Sequence, residues 1–267
     1  MWTPIALVAL SLAPAQPAGG LQLTNVRLTL GDLGPARPNN RYLPGDVVYV
    51  RYDIEGLTID PDGTTKYTIS MEITDTAGKP IFKQEPRELN DLFPLRGTKV
   101  PAGAFVRIGF DQEPGMYTCK VTVTDLKSKS SNSLSTKFEV LKKDFGLVDP
   151  ITTYDARREI AAPTTGTVGQ HVFIWTTVVG FQRDPKTKQP NVEFEFIVLD
   201  EKGTPTLGQP RKLVQDAGVE PEQGAFYGLF PLYMSRPGKY TVRITGTDKV
   251  ANKKSVVELP ITVMPQN

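Results

Sequence analysis

Cysteine and histidine are almost missing from this chain of 267 residues, which has one of each, Cys119 and His171. A single cysteine excludes an intrachain disulfide, so packing alone has to stabilise the fold. Neither a Gly-x-Ser-x-Gly nor a His-Glu-x-x-His motif occurs, and no nucleophile, metal-ligand or cofactor motif is recognisable. We therefore predict a protein that is not an enzyme, with no catalytic residue, no metal site and no cofactor.

Long apolar runs are also missing. The apolar run Ile5–Leu12 is far shorter than the about 20 residues needed to span a bilayer. It is followed by Ala13–Ala15, which fits a signal-peptide cleavage site before Gln16, although no Lys or Arg precedes the run. We expect residues 1–15 to be a signal peptide and the mature chain to lack an integral membrane segment. The expected location is secreted, periplasmic or at the cell surface.

The chain has no marked excess of charge of either sign. Its 31 basic and 29 acidic residues give a net charge of +2. Basic pairs are scattered and form no stripe that would follow a phosphate backbone. They are Lys142-Lys143, Arg157-Arg158 and Lys253-Lys254. We therefore expect no nucleic-acid partner.

What the sequence does contain is an internal repeat with an offset of about 124 residues. Four ordered pairs of segments match: Pro44–Gly56 with Val168–Gly180, Tyr67–Pro80 with Val192–Pro205, Gly103–Phe105 with Gly224–Phe226, and Pro114–Thr122 with Pro237–Thr245. Four matches in one order indicate two copies of one domain. We assign residues 21–141 to the first domain and 142–267 to the second. The short linker, 142–144, predicts an elongated pair with a restricted hinge.

Each copy has the pattern of β-strands separated by turns. Val48, Val50, Tyr52 and Ile54 alternate with polar residues, so we expect these four side chains to face a core. A helical period of 3.6 residues appears nowhere over a convincing length. The sequence therefore predicts an all-β protein.

A Pro-Gly-x-Tyr corner precedes an alternating strand in both copies, at Pro114–Tyr117 and Pro237–Tyr240. It resembles the corner before strand F of immunoglobulin-like domains, with Tyr117 two residues before Cys119. The chain thus resembles bacterial extracytoplasmic immunoglobulin-like tandem repeats. The resemblance implies two antiparallel β-sandwiches in which Tyr117 and Tyr240 hydrogen-bond back to the backbone. It implies architecture and says almost nothing about activity.

The two copies differ most clearly at the outward positions of their first matched strand. The second copy has His171, Phe173 and Trp175, where the first has a valine, a tyrosine and an arginine. Such rings stack on sugars or anchor a protein partner when exposed, and a neighbouring segment or molecule covers them otherwise. The other aromatic stretch, Phe226–Tyr233, is expected to be a core strand. We regard the three rings as a candidate binding surface.

The composition and the repeat together favour a non-catalytic interaction or spacer module of the cell envelope. It would bind a protein partner through sandwich edges or loops. The alternative is a carbohydrate- or wall-binding module that uses the aromatic surface of the second copy.

Overall fold

The computed structural model describes residues 20–266, so the predicted signal peptide lies outside the described residues. Within this range the chain forms sixteen strands and no helix, hence no helix that is long and apolar enough to cross a membrane.

The first eight strands are β1 (Gln22–Thr29), β2 (Arg41–Tyr42), β3 (Val47–Glu55), β4 (Thr64–Thr74), β5 (Pro80–Leu92), β6 (Lys99–Arg107), β7 (Gly115–Asp125) and β8 (Ser131–Val140). They form a three-stranded sheet of order β1-β3-β6 and a five-stranded sheet of order β2-β8-β7-β4-β5. The apolar faces of the two sheets share one core.

The other eight strands are β9 (Gly146–Thr153), β10 (Thr165–Thr167), β11 (His171–Val179), β12 (Val192–Asp200), β13 (Arg211–Gln215), β14 (Ala225–Tyr233), β15 (Gly238–Asp248) and β16 (Lys253–Met264). Their sheets have the orders β9-β11-β14 and β10-β16-β15-β12-β13, which repeat the first set strand for strand. Pairing is antiparallel except between β2 and β8 and between β10 and β16. The chain is therefore two tandem immunoglobulin-like antiparallel β-sandwiches, as the sequence predicts.

Burial follows the alternation read from the sequence. Val48, Val50, Tyr52 and Ile54 are all buried in the first core, which confirms the predicted phase of β3. Cys119 on β7 is fully buried, and burial raises the pKa of its thiol to about 11. A thiol in that state is a packing group rather than a reactive one.

One of the four sequence matches is wrong in register. Val47 pairs with Arg107 and its counterpart His171 pairs with Tyr233, so β6 and β14 correspond at an offset of 126 residues. The counterpart of Gly103–Phe105 is therefore Leu229–Pro231 and not Gly224–Phe226. The connection after β14 is three residues shorter than the one after β6, and a three-letter match could not reveal that deletion.

The two sandwiches touch directly where one follows the other, since β8 ends at Val140 and β9 begins at Gly146. Leu30, in the loop after β1, packs into the core of the second sandwich. The backbone N–H of Asp149 on β9 donates to Asp46 Oδ1 at 3.0 Å. The junction thus combines apolar packing with a buried polar contact.

Candidate functional site: the outer aromatic face of the second domain

The outer side of the sheet β9-β11-β14 carries a cluster of rings and apolar groups. Neighbouring β11 and β14 place His171 opposite Tyr233, Phe173 opposite Pro231 and Trp175 opposite Leu229. Because side chains alternate along a strand and directly opposed residues share a side, these groups lie together on the surface away from the core. We call this set the aromatic face; its members are His171, Phe173, Trp175, Tyr227, Leu229, Pro231 and Tyr233.

The rings of the aromatic face contact one another. The imidazole of His171 stacks on Tyr233 with centroids 4.2 Å apart and meets the edge of Phe173 at 4.5 Å. His171 Nε2 is buried beneath these rings and has no hydrogen-bond partner among residues 20–266. Tyr233 is 70% exposed and Tyr227 53%, so the outermost rings of the cluster face solvent.

Trp175 does not belong to the exposed part of this surface; of the two outcomes that the sequence left open for these rings, neighbouring segments cover this one. It is 8% exposed, and its indole Nε1 donates to Thr153 Oγ1 at 2.9 Å. The reason is its place on the central strand, with Ile151 on one side and Leu229 on the other. The ring of Tyr227 packs against the ring of Trp175 in a T-shaped arrangement, with the two centroids 6.1 Å apart. His171 and Phe173 are half-buried.

The most exposed rings of the face come from the segment that the sequence reading assigned to the core. Along β14 the side chains of Phe226 and Phe230 are buried, whereas those of Tyr227 and Tyr233 point outward. The period-two alternation from Phe226 to Tyr233 could have shown which of these rings point away from the core, although not whether neighbours cover them. The incorrect register match at this segment concealed that signal.

An arginine connects the aromatic face to the domain junction. The guanidinium carbon of Arg158 lies 4.8 Å from the centroid of the Tyr227 ring, and the same group forms an ion pair with buried Asp149. Burial raises the pKa of Asp149 to about 6 even though Arg158 acts to lower it. Burial also raises the pKa of neighbouring Asp46, whose ion pair with Arg37 measures 2.7 Å. Asp149 and Asp46 are therefore each paired with an arginine in the buried contact between the domains and do not line an open cleft.

The two corner tyrosines hold the turns before β7 and β15. The hydroxyl of Tyr117 donates to the backbone carbonyl of Glu113 at 2.7 Å, and that of Tyr240 contacts the carbonyl of Arg236 at 3.2 Å. Gln112 Nε2 donates to the first hydroxyl at 2.7 Å. Both residues serve the architecture and lie apart from the aromatic face.

The described range, 20–266, contains no group of three or more His, Cys, Asp or Glu side chains arranged to hold a metal ion. The strand-end carboxylates that recur in the two copies are occupied by backbone donors. Asp125 accepts from the N–H groups of Thr58 and Lys127, and Asp248 from those of Gln182 and Val250. These residues hold loops together.

Comparison with known proteins gives no match to a family model and none to a curated protein. Among solved structures, the chain is similar to the C-terminal domain of the antigen I/II polypeptide BspA of Streptococcus agalactiae. The two are 9% identical over 90% of this chain and 100% of that one, with a TM-score of 0.31. The C-terminal domain of the antigen I/II-family protein AspA of Streptococcus pyogenes is 10% identical over 91% of this chain and 100% of that one, with a TM-score of 0.32.

The chain is also similar to the alkylpurine DNA glycosylase AlkC of Pseudomonas fluorescens, at 16% identity and a TM-score of 0.29. That likeness covers 45% of this chain and 30% of AlkC, so this chain matches less than a third of that protein. At such identities and TM-scores none of these likenesses assigns a function, and the aromatic face has to be judged on its own geometry.

Proposed function

We propose that the protein is a non-catalytic interaction module of the cell envelope that binds a protein partner through the aromatic face of its second domain. One observation carries the proposal. Exposed Tyr227 and Tyr233 lie in one row with Leu229 and Pro231 on the edge strand β14. Protein interfaces are enriched in tyrosine and arginine, and contiguous apolar patches on a surface mark interaction sites.

The corresponding surface of the first domain has a different character. Arg51 takes the place of Trp175 and pairs with Asp32 at 2.7 Å. Phe105 is 67% exposed and has the half-buried ring of Tyr49 beside it, with centroids 6.0 Å apart. A single exposed apolar side chain is ordinary on a protein surface and needs no partner. The contrast between the two sheets supports a binding surface on the second domain.

One further feature supports the envelope setting: the signal peptide that the sequence predicts at residues 1–15 would direct the chain out of the cytoplasm. A wall polysaccharide is the weaker candidate, because Trp175 is covered and the remaining row of rings is interrupted by Leu229 and Pro231.

The test uses the chain 16–267 with a photo-crosslinking amino acid at position 233, irradiated in extract from the native envelope. We expect one protein to be crosslinked in a defined complex, and Tyr227→Ser to weaken its capture at least about tenfold, the effect of losing one hot-spot side chain. Phe105→Ser is the matched control, since it removes an exposed ring from the first domain and should leave capture unchanged.

The same samples are tested for retention on insoluble wall polysaccharide. The carbohydrate alternative would replace the protein-binding proposal if no protein is crosslinked and the chain is retained on polysaccharide in a way that Tyr227→Ser abolishes. If neither ligand is captured by the unmodified chain, a spacer role is left. Unchanged thermal unfolding of both variants shows that the substitutions act on the surface.

A further inference from the structure

A separate feature of the second domain is an open cleft of about 530 Å³ at one end of its sandwich. It lies between the edge strand β14 and the strands β12 and β13 of the opposite sheet. Its size is within the range of small-molecule sites, about 300 to 1,000 Å³. Apolar side chains line its inner part; they are Phe196, Val198, Phe230, Leu232, Ile261 and Val263.

In the first domain, two aromatic rings occupy the position that corresponds to this cleft. Tyr42 and Phe138 meet edge to face with centroids 5.7 Å apart, and only about 160 Å³ is open there. The strand pairings give Gly166 as the counterpart of Tyr42 and Ile261 as that of Phe138. Met234 reaches towards Gly166 but does not replace both rings. The cleft therefore results from particular substitutions in a shared framework.

The mouth of the cleft is positively charged. Arg211 on β13 and Arg236 on the turn after β14 both line it and are exposed. Neither forms an ion pair with any residue between 20 and 266, although the charge of Asp200 acts on Arg236. The Nε of Arg236 donates to the Tyr240 hydroxyl at 3.1 Å, which orients the guanidinium at the rim. Guanidinium groups recognise carboxylate and phosphate oxygens well.

The strands beside the cleft are poorly suited to pairing with an added peptide strand. Pro231 lies near the C-terminal end of the outer edge strand β14, beside the cleft, and has no N–H to offer a partner. On the opposite side β13 has only five residues, Arg211–Gln215. An occupant has to be held by side chains rather than by a backbone ladder.

We propose that this cleft binds an anionic amphiphile, a molecule with an apolar chain and a carboxylate or phosphate head. The chain lies against the stacked rings of Phe196 and Phe230, whose centroids are 5.0 Å apart, and against Ile261. The head lies at the mouth with Arg211 and Arg236. The rim of the cleft shares Pro231 and Tyr233 with the aromatic face, whereas the groups that carry this proposal, Phe196, Ile261 and the two arginines, are not members of that face. The proposal does not depend on the function proposed for the aromatic face.

The test is calorimetric titration of the chain 16–267 with three probes below their micelle concentrations: dodecanoate, dodecyl phosphate and dodecyltrimethylammonium. We expect the two anions to bind with a 1:1 stoichiometry and at least tenfold more tightly than the cation. Their relative affinities tell whether a carboxylate or a phosphate head is preferred. Equal affinity for the anions and the cation would overturn the proposal.

Two variants separate the chain site from the head site. Ile261→Phe installs the residue of the first domain and should weaken dodecanoate binding at least tenfold by filling the cleft. Joint replacement of Arg211 and Arg236 by Gln should remove the preference for an anion. Arg243→Gln removes one arginine charge at an exposed position of β15 outside the cleft; it is the control and should keep the preference for an anion.

A labelling experiment keeps the proposal open to refutation should Ile261→Phe fail to fold. Dodecanoate carrying a diazirine is irradiated with the unmodified chain, and the labelled peptides are identified by mass spectrometry. We expect the label on β12 and β14. Label confined to the first domain would contradict the proposed site.

Discussion

The two domains share a strand order and a core yet differ at two places on their surfaces. In the first domain the outer face of β3 carries an Arg51–Asp32 ion pair, and the end of the sandwich is closed by Tyr42 and Phe138. In the second, the outer face is aromatic and the end is open. The core residues between the sheets are apolar in both domains, whereas the residues on the outer face and at the end of the sandwich differ between them.

The junction shows the same division between a shared backbone and diverged chemistry. Asn25 and Asp149 both have a positive φ, 52° and 49°, at a bulge in the first strand of their domains. Asparagine and aspartate tolerate this conformation better than most residues. Asn25 is exposed, however, whereas Asp149 is buried against Asp46 of the other domain. One local geometry thus forms an exposed bulge in one copy and an interdomain contact in the other.

Removing the ring that closes the first sandwich should have the largest effect. Tyr42 is fully buried, so Tyr42→Ala leaves a cavity and should lower the free energy of unfolding by about 3 to 5 kcal/mol. Urea denaturation measures it. Tyr233→Ala removes an exposed ring from the second domain and should cost less than about 0.5 kcal/mol. Similar losses in both variants would remove the distinction between a closed and an open domain end.

Replacing Asp149 with asparagine, the residue at the equivalent position 25 of the first domain, should change how the free energy of unfolding depends on pH. Its folded pKa of about 6 lies above the unfolded value of about 3.9, so the folded state binds the proton more tightly. Protonation of Asp149 therefore increases the free energy of unfolding as the pH falls from about 6 to about 4, by at most about 3 kcal/mol. This contribution is lost as the pH rises through 6.

In Asp149→Asn this contribution is missing. The free energy of unfolding of the unmodified chain minus that of the variant should therefore increase between pH 7 and pH 4.5. Urea denaturation at a series of pH values gives this difference. Carboxylates that do not interact with Asp149 cancel because both chains carry them, whereas Asp46 interacts with Asp149 and contributes to the difference. A difference that is independent of pH would show that Asp149 titrates normally.

The smallest effects concern the corner tyrosines. The Tyr117 hydroxyl is half enclosed and makes two hydrogen bonds of 2.7 Å, whereas the Tyr240 hydroxyl is exposed and makes contacts of 3.1 to 3.2 Å. Tyr117→Phe should lower the free energy of unfolding by about 1 kcal/mol, and Tyr240→Phe by less than about 0.5 kcal/mol. Thermal unfolding of both variants checks the order, and the reverse order would contradict it.

The sequence by itself determined the repeat, the all-β class and the inward phase of β3, since alternation and turn residues are local properties of the chain. It also indicated the region of the second domain where aromatic residues gather. These features need no knowledge of which strands are neighbours, and they account for most of the fold.

Only the tertiary structure decided which rings are free and where the cleft lies. Trp175 is covered because neighbours on both sides of a central strand enclose it, and Tyr233 is exposed because β14 is an edge. At the cleft, Ile261 stands where the first domain has Phe138, and Met234 lies against Gly166, the counterpart of Tyr42. Exposure and cavity volume depend on which distant residues become neighbours, and the pattern along a single strand does not contain that information.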